Sequence, residues 1–158
     1  MKKNFPNSHP DDPNHAFNRA LRYLSLRARS KKEIEEYLTN KKFDSQAISQ
    51  AVDRLVELKF LDDAEFGKSW IKNRQERKGK SKYFIRYELK RKGLAEDLID
   101  VLSDEAQADL KTARDFVERK RRVYGKLDKI EFREKIAKQL QSRGFSWDIV
   151  REAIKDKD

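Results

Sequence analysis

The sequence contains no cysteine, which excludes a disulfide framework and any thiolate metal site. Proline is confined to Pro6, Pro10 and Pro13, so a chain of 158 residues runs on from there without a helix breaker of that kind. Long apolar runs are missing too. The longest are two or three residues, against the roughly 18 needed to span a bilayer. The N-terminus has no apolar stretch of the secretory type, so no export signal is expected and a cytoplasmic protein is. Only 37% of residues are hydrophobic while 42% are charged, and the mean hydropathy is −1.02. Such a chain fills thin cores between amphipathic helices and not one deep globule.

What remains is helical in pattern. Phe17, Ala20, Leu21 and Leu24 follow i, i+3, i+4, i+7, as do Ile48, Ala51, Val52 and Leu55. Ser30 with Glu33, and Asp128 with Glu131, read as capping boxes. Four of the five glycines (Gly79, Gly93, Gly125, Gly144) stand where apolar periodicity stops. No stretch alternates with period two, so the fold is expected to be all-α. Residues 1–14, rich in Pro, Asn and Asp, are expected to form a flexible arm.

The most informative feature is a repeat of 51 residues. Ile34, Ile85 and Ile136 form one column; Leu38, Leu89 and Leu140 a second; Phe43, Leu94 and Phe145 a third; and Ile48, Ile99 and Val150 a fourth. Gly93 and Gly144 fall at the same turn, where Lys42 stands in the first copy. Each copy reads as a helix, a turn and a second helix, preceded by another helix at roughly 15–27, 64–77 and 106–123. This predicts three tandem three-helix modules over 15–61, 62–103 and 104–158, forming an elongated, curved repeat protein.

The formal net charge is +10, and residues 68–92 alone hold eleven Lys/Arg and two acids, a net of +9. An excess of that size favours an acidic polymer as partner. Within the stretch, Lys82, Arg86 and Lys90 make an i, i+4, i+8 stripe beside the core positions Ile85 and Leu89. The other copies carry Lys31, Glu35, Thr39 and Arg133, Ala137, Gln141 there, so the repeat itself does not require a basic stripe. Lys72, Arg74, Lys80 and Arg91 extend it. Tyr83 and Tyr87 point away from the core; they either contact a partner or pack against a neighbouring module. Arg119, Lys120, Arg121 and Arg122 form a second basic patch. Trp70 and Trp147 are expected in the core or at module junctions, and Asp62 and Asp63 as helix caps. No catalytic constellation, glycine-rich phosphate loop, metal site or cofactor motif is present.

Several of these residues resemble the RecX family, the bacterial regulators of the RecA recombinase. The first module carries Ala20-Leu21-x-x-Leu24, then Arg29-Ser30-x-x-Glu33. The second opens with Phe60-Leu61-Asp62-Asp63-Ala64-Glu65-Phe66, close to the family's Gly-Tyr-Leu-Asp-Asp-x-x-Phe-Ala signature, and continues to Trp70, Arg74 and Lys92-Gly93-Leu94. The third ends in Arg143-Gly144-Phe145-Ser146-Trp147. Lys59 stands where the signature has glycine and Gly67 where it has alanine. The resemblance implies a non-enzymatic protein, expected as a monomer, that binds RecA and the RecA–single-stranded DNA filament. It implies suppression of ATP hydrolysis, strand exchange and coprotease activity in recombination and the SOS response.

A second reading is a nonspecific DNA-binding helical protein without RecA-specific action. Base reading in helix-turn-helix fashion is disfavoured: residues 95–103 carry Glu96, Asp97 and Asp100 with no Lys or Arg.

Overall fold

Helix ends in this chain are set by short polar side chains and left-handed turns. The computed structural model describes residues 9–155. Among them are nine α-helices and no strand: α1 (Pro13–Leu24), α2 (Lys31–Asn40), α3 (Ser45–Glu57), α4 (Asp63–Glu76), α5 (Lys82–Arg91), α6 (Glu96–Glu105), α7 (Asp109–Val123), α8 (Lys129–Gln141) and α9 (Trp147–Ile154). The fold is all-α, in three tandem three-helix repeats.

The first helix begins inside what the composition suggested was a flexible arm. Asp12 Oδ1 accepts from the N–H groups of Asn14 and His15 at 2.8 and 3.2 Å. Pro13 takes the first helical position, where its missing N–H removes no bond. The Pro10 carbonyl accepts from the Asp44 N–H at 2.8 Å. The expectation of an arm over 1–14 is therefore corrected at its end, and residues 1–8 lie outside the described residues.

Packing cuts across the second repeat. One unit comprises the described residues up to Phe66 together with Lys92–Ala95; the other comprises Gly67–Arg91 and the residues from Glu96 onward. In the first, Ala16, Phe17 and Ala20 of α1 meet Ile34 and Leu38 of α2, with Val52 and Leu55 of α3 beneath them. In the second, Ala113, Phe116 and Val117 of α7 pack with Ile136 and Leu140 of α8 and Val150 of α9. All twelve residues of the four repeat columns are 8% exposed or less. The repeat is thus a repeat of core positions, which is why it survives amid so much surface charge.

The turn after the second helix of each repeat needs a left-handed residue: Lys42 has φ 64°, Gly93 81° and Gly144 86°. At Lys42 and Gly144 the turn is a Schellman motif. Phe43 N–H reaches the Leu38 carbonyl at 3.2 Å, and Phe145 N–H reaches that of Leu140 at 3.3 Å. Glycine has a second reason at two of these sites. A Cβ on Gly93 would lie 2.6 Å from Lys32 Cβ, and one on Gly144 would lie 2.6 Å from Ser81 Oγ.

Those approaches belong to a device that recurs at the repeat spacing. Ser30, the N-cap of α2, donates its hydroxyl to the Lys92 carbonyl at 2.7 Å. Ser81, 51 residues later, donates its N–H to the Arg143 carbonyl at 3.1 Å. Asp63 Oδ1 accepts from the Lys31 N–H, and Asp109 Oδ1 from the Lys82 N–H, both at 2.8 Å. Burial pushes both carboxyls above the usual aspartate range, against the backbone N–H bonds that pull them down. In each case a helix start is completed by residues of the repeat that follows.

Candidate binding surface on the second repeat

Helix α5 buries Ile85 and Leu89, and this fixes where its other side chains project. The flank carrying Lys82, Arg86 and Lys90 faces α6. Lys82 Nζ donates to the Ser103 carbonyl at 2.6 Å, in the last turn of α6 where carbonyls lack helical partners. Arg86 reaches Asp100 at 2.6 Å and Glu96 at 3.6 Å, and Lys90 reaches Glu96 at 2.9 Å. The three pairs nest about the Gly93 turn as rungs of a helical hairpin. The stripe read from the sequence as a surface for a partner also clasps α5 to the acidic helix α6. Both facts were present in the sequence, but only the hairpin brings them together.

Arg74 is engaged as well. Its Nε donates to Glu88 Oε2 at 2.6 Å, the indole Nε1 of Trp70 donates to the same oxygen at 2.8 Å, and the guanidinium lies 4.2 Å from the Trp70 ring. Trp70 is partly buried, whereas Trp147 is 57% exposed and so is not a core or junction residue. It occupies the first turn of α9, whose buried face is made instead by Val150, Ala153 and Ile154. Lys80 Nζ sits 3.7 Å over the Phe84 ring, and burial lowers its pKa. Lys72 is exposed.

The outer face of α5 is a different surface. Tyr83 is 77% exposed and Tyr87 58%. Arg91, one turn further and also exposed, lies 5.8 Å from the Tyr87 ring. The phenols do not pack into the body, which removes the inter-module role as their explanation. Two large aromatic rings and a guanidinium in line on a helix anchored by its opposite face have the composition of a protein-interface hot spot.

The second basic patch does not present a single face. Arg119 and Lys120 turn toward Phe116, at 6.0 and 5.5 Å from its ring. Arg121 pairs with Glu118 at 3.3 Å and lies 5.4 Å from the Phe132 ring. Arg122 is exposed. Successive helical residues diverge by about 100°, and four in a row cannot share a face.

Comparison with known proteins follows this architecture. Family models described as the first, second and third three-helix domains of RecX match residues 16–55, 62–101 and 107–154. The regulatory protein RecX of Chlorobaculum tepidum is 36% identical over 141 residues, covering 89% of this chain and 86% of that protein. That of Bacillus subtilis is 34% identical over 146 residues, covering 91% of this chain and 55% of the relative. The Bacillus licheniformis protein is 31% identical over 154 residues, covering 94% and 57%. This chain thus spans little more than half the length of those Bacillus relatives. The crystal structure of RecX from Lactobacillus salivarius superposes with a TM-score of 0.73 at 23% identity, covering 90% of this chain and 94% of that one. The fold defines an all-helical, repeat-built class of protein. The chain belongs to the RecX family. No helix among the described residues is long and apolar enough to cross a membrane.

Proposed function

We propose that this protein binds RecA and RecA–DNA filaments and inhibits ATP hydrolysis, strand exchange and coprotease activity, acting in the cytoplasm as a monomer without catalysis of its own. The observation that carries this reading is the exposed Tyr83–Tyr87–Arg91 face of α5. It is the one part of the charged second-repeat segment that combines exposed aromatics with a cation, and it stands out from the equivalent positions Lys32, Glu36 and Glu134, Lys138 of the other repeats. The rings would seat in a filament groove. A partner repeated along a polymer multiplies such modest contacts through effective concentration.

The test is ATP hydrolysis by a preformed RecA filament on single-stranded DNA, with this protein added well below RecA stoichiometry. A large fall at such ratios supports action on the polymer. Unchanged hydrolysis across the range overturns the reading. Loss of inhibition on changing Tyr83 and Tyr87 to Ala, with helicity retained, locates the contact on α5.

A further inference from the structure

Unit one holds a stack of rings and a cation built from α1, α2 and the connection between them. The half-buried rings of Tyr23 in α1 and Tyr37 in α2 lie face to face, 3.9 Å apart and 12° from parallel. The Arg29 guanidinium, from the connection, lies 3.9 Å from the centre of the Tyr23 ring. Its Nε is buried with no hydrogen-bond partner, and the terminal nitrogens are not sealed off with it. Among the described residues Arg29 makes no hydrogen bond and no ion pair. Two acids of α2 are engaged elsewhere: Glu33 with Arg27 at 2.9 Å and Lys92 at 2.6 Å, and Glu36 with Lys32 at 3.7 Å. A guanidinium held with its donors unfilled costs the free chain stability, which the tyrosine face offsets only in part.

The second repeat shows what the first lacks. At the 51-residue spacing, Tyr23, Arg29 and Tyr37 correspond to Arg74, Lys80 and Glu88. There the Glu88 carboxylate accepts from Arg74 Nε at 2.6 Å, and its charge opposes the burial that lowers the Lys80 pKa. The first repeat keeps the cation and drops the carboxylate. Tyr37 stands where Glu88 would be, and its ring backs the Tyr23 on which Arg29 lies.

The setting selects the ligand. The terminal N–H donors of a guanidinium form a planar fork that matches the two oxygens of a carboxylate. A phosphodiester backbone asks for cations in series. The sequence after Arg29 carries Glu33, Glu35 and Glu36 instead, charges that repel a polyanion but leave room for a single carboxylate. Leu26, in the same connection, is 75% exposed and supplies the apolar contact of a protein interface. We propose that Arg29, laid on the Tyr23–Tyr37 stack, is a docking site for an aspartate or glutamate side chain of a protein partner, filling the place that Glu88 fills within the second repeat. The inference rests on the RecA reading for its partner and adds a contact on unit one to that of the α5 face.

The test is binding of the full chain, labelled at its N-terminus, to a RecA filament assembled on single-stranded DNA with a slowly hydrolysed ATP analogue. Fluorescence anisotropy reads the affinity, at a temperature where melts show every variant folded. Arg29→Lys keeps the charge and loses the fork, and is expected to weaken binding about tenfold or more. Tyr37→Glu offers Arg29 an internal carboxylate and should weaken binding further than Tyr37→Gln, which removes the ring without adding charge. Tyr37→Phe should bind like the original. Filament binding unchanged by Arg29→Lys would overturn the site; if that variant's melting temperature also fell, the stack would be structural only. An equal loss of affinity for naked oligo-dT would assign Arg29 to phosphate and overturn the proposal too. If the unmodified chain does not bind the filament, the RecA reading fails and the inference goes with it.

Discussion

Ser30 and Lys92, 62 residues apart in sequence, meet in a 2.7 Å hydrogen bond from the serine hydroxyl to the lysine carbonyl. One repeat later Ser81 and Arg143 stand in the same relation, although there the Ser81 backbone N–H is the donor. The turn residue that follows each carbonyl, Gly93 or Gly144, must let the backbone come this close.

Substitution at those turns is therefore expected to be costly. Gly144→Ala adds a Cβ at φ 86° and 2.6 Å from Ser81 Oγ. The left-handed conformation alone costs about 1–2 kcal/mol for a residue with a side chain. Chemical denaturation should show a loss of that size or greater. Lys42→Gly, relieving φ 64° at the equivalent turn, should raise the unfolding free energy by up to about 1 kcal/mol. A drop in stability on Lys42→Gly would contradict the account.

Adjacent aspartates should prove to serve different helices. Asp62 Oδ1 accepts from Ala64 and Glu65 N–H at 2.9 and 3.1 Å and so caps α4, whereas Asp63 completes the start of α2. Each change to Ala is expected to cost about 0.5–2 kcal/mol. Hydrogen exchange distinguishes them: Asp62→Ala should loosen the first turn of α4, Asp63→Ala that of α2.

Glu33 gives the fold a defined acid sensitivity. Burial raises its pKa, but hydrogen bonds from Arg27, Lys92 and the Ser30 N–H outweigh this and hold it at about 2, below the ordinary 4.5. A depressed carboxyl stabilises the fold above its unfolded value, and that contribution fades as pH falls from about 4.5 toward 2. Glu33→Gln should lower stability at neutral pH and flatten its decline over that window. Parallel curves for the two proteins in thermal melts would refute the assignment.

The α5–α6 clasp and the outer α5 face should separate in mutagenesis. Changing Lys82, Arg86 and Lys90 to Ala leaves Glu96 and Asp100 without their partners, and should lower the melting temperature and loosen α6 in hydrogen exchange. Exposed pairs contribute little singly, about 0–1 kcal/mol, so the triple change is the informative one. Changing Tyr83 and Tyr87 to Ala should leave stability nearly unchanged and weaken inhibition of RecA.

The sequence made the core legible because each column at 51-residue spacing answers to burial, and burial constrains residue type strongly. Lys42 was readable as a stand-in for glycine for the same reason: its neighbours Leu38 and Phe43 fixed the turn around it. The stripe was harder. Whether Arg86 faces solvent or Asp100 is decided by how two helices fold back on each other, and charge periodicity on one helix is silent about that. Trp147 misled because an indole is usually buried, yet position one of a short helix points outward here.

Asp63 and Asp109 also bear on the order in which a ribosome delivers this chain. When α2 has emerged, its first amide still awaits a carboxylate that has yet to be synthesised, and Ser30 awaits a carbonyl further along. The start of α5 is in the same position until residues 109 and 143 arrive. The third repeat differs: Asp128 caps α8 from within, accepting from Ile130 and Glu131 at 2.8 and 2.9 Å. A nascent chain halted after α6 would leave the first two repeats unequal, one with its helix start sealed and the other still open.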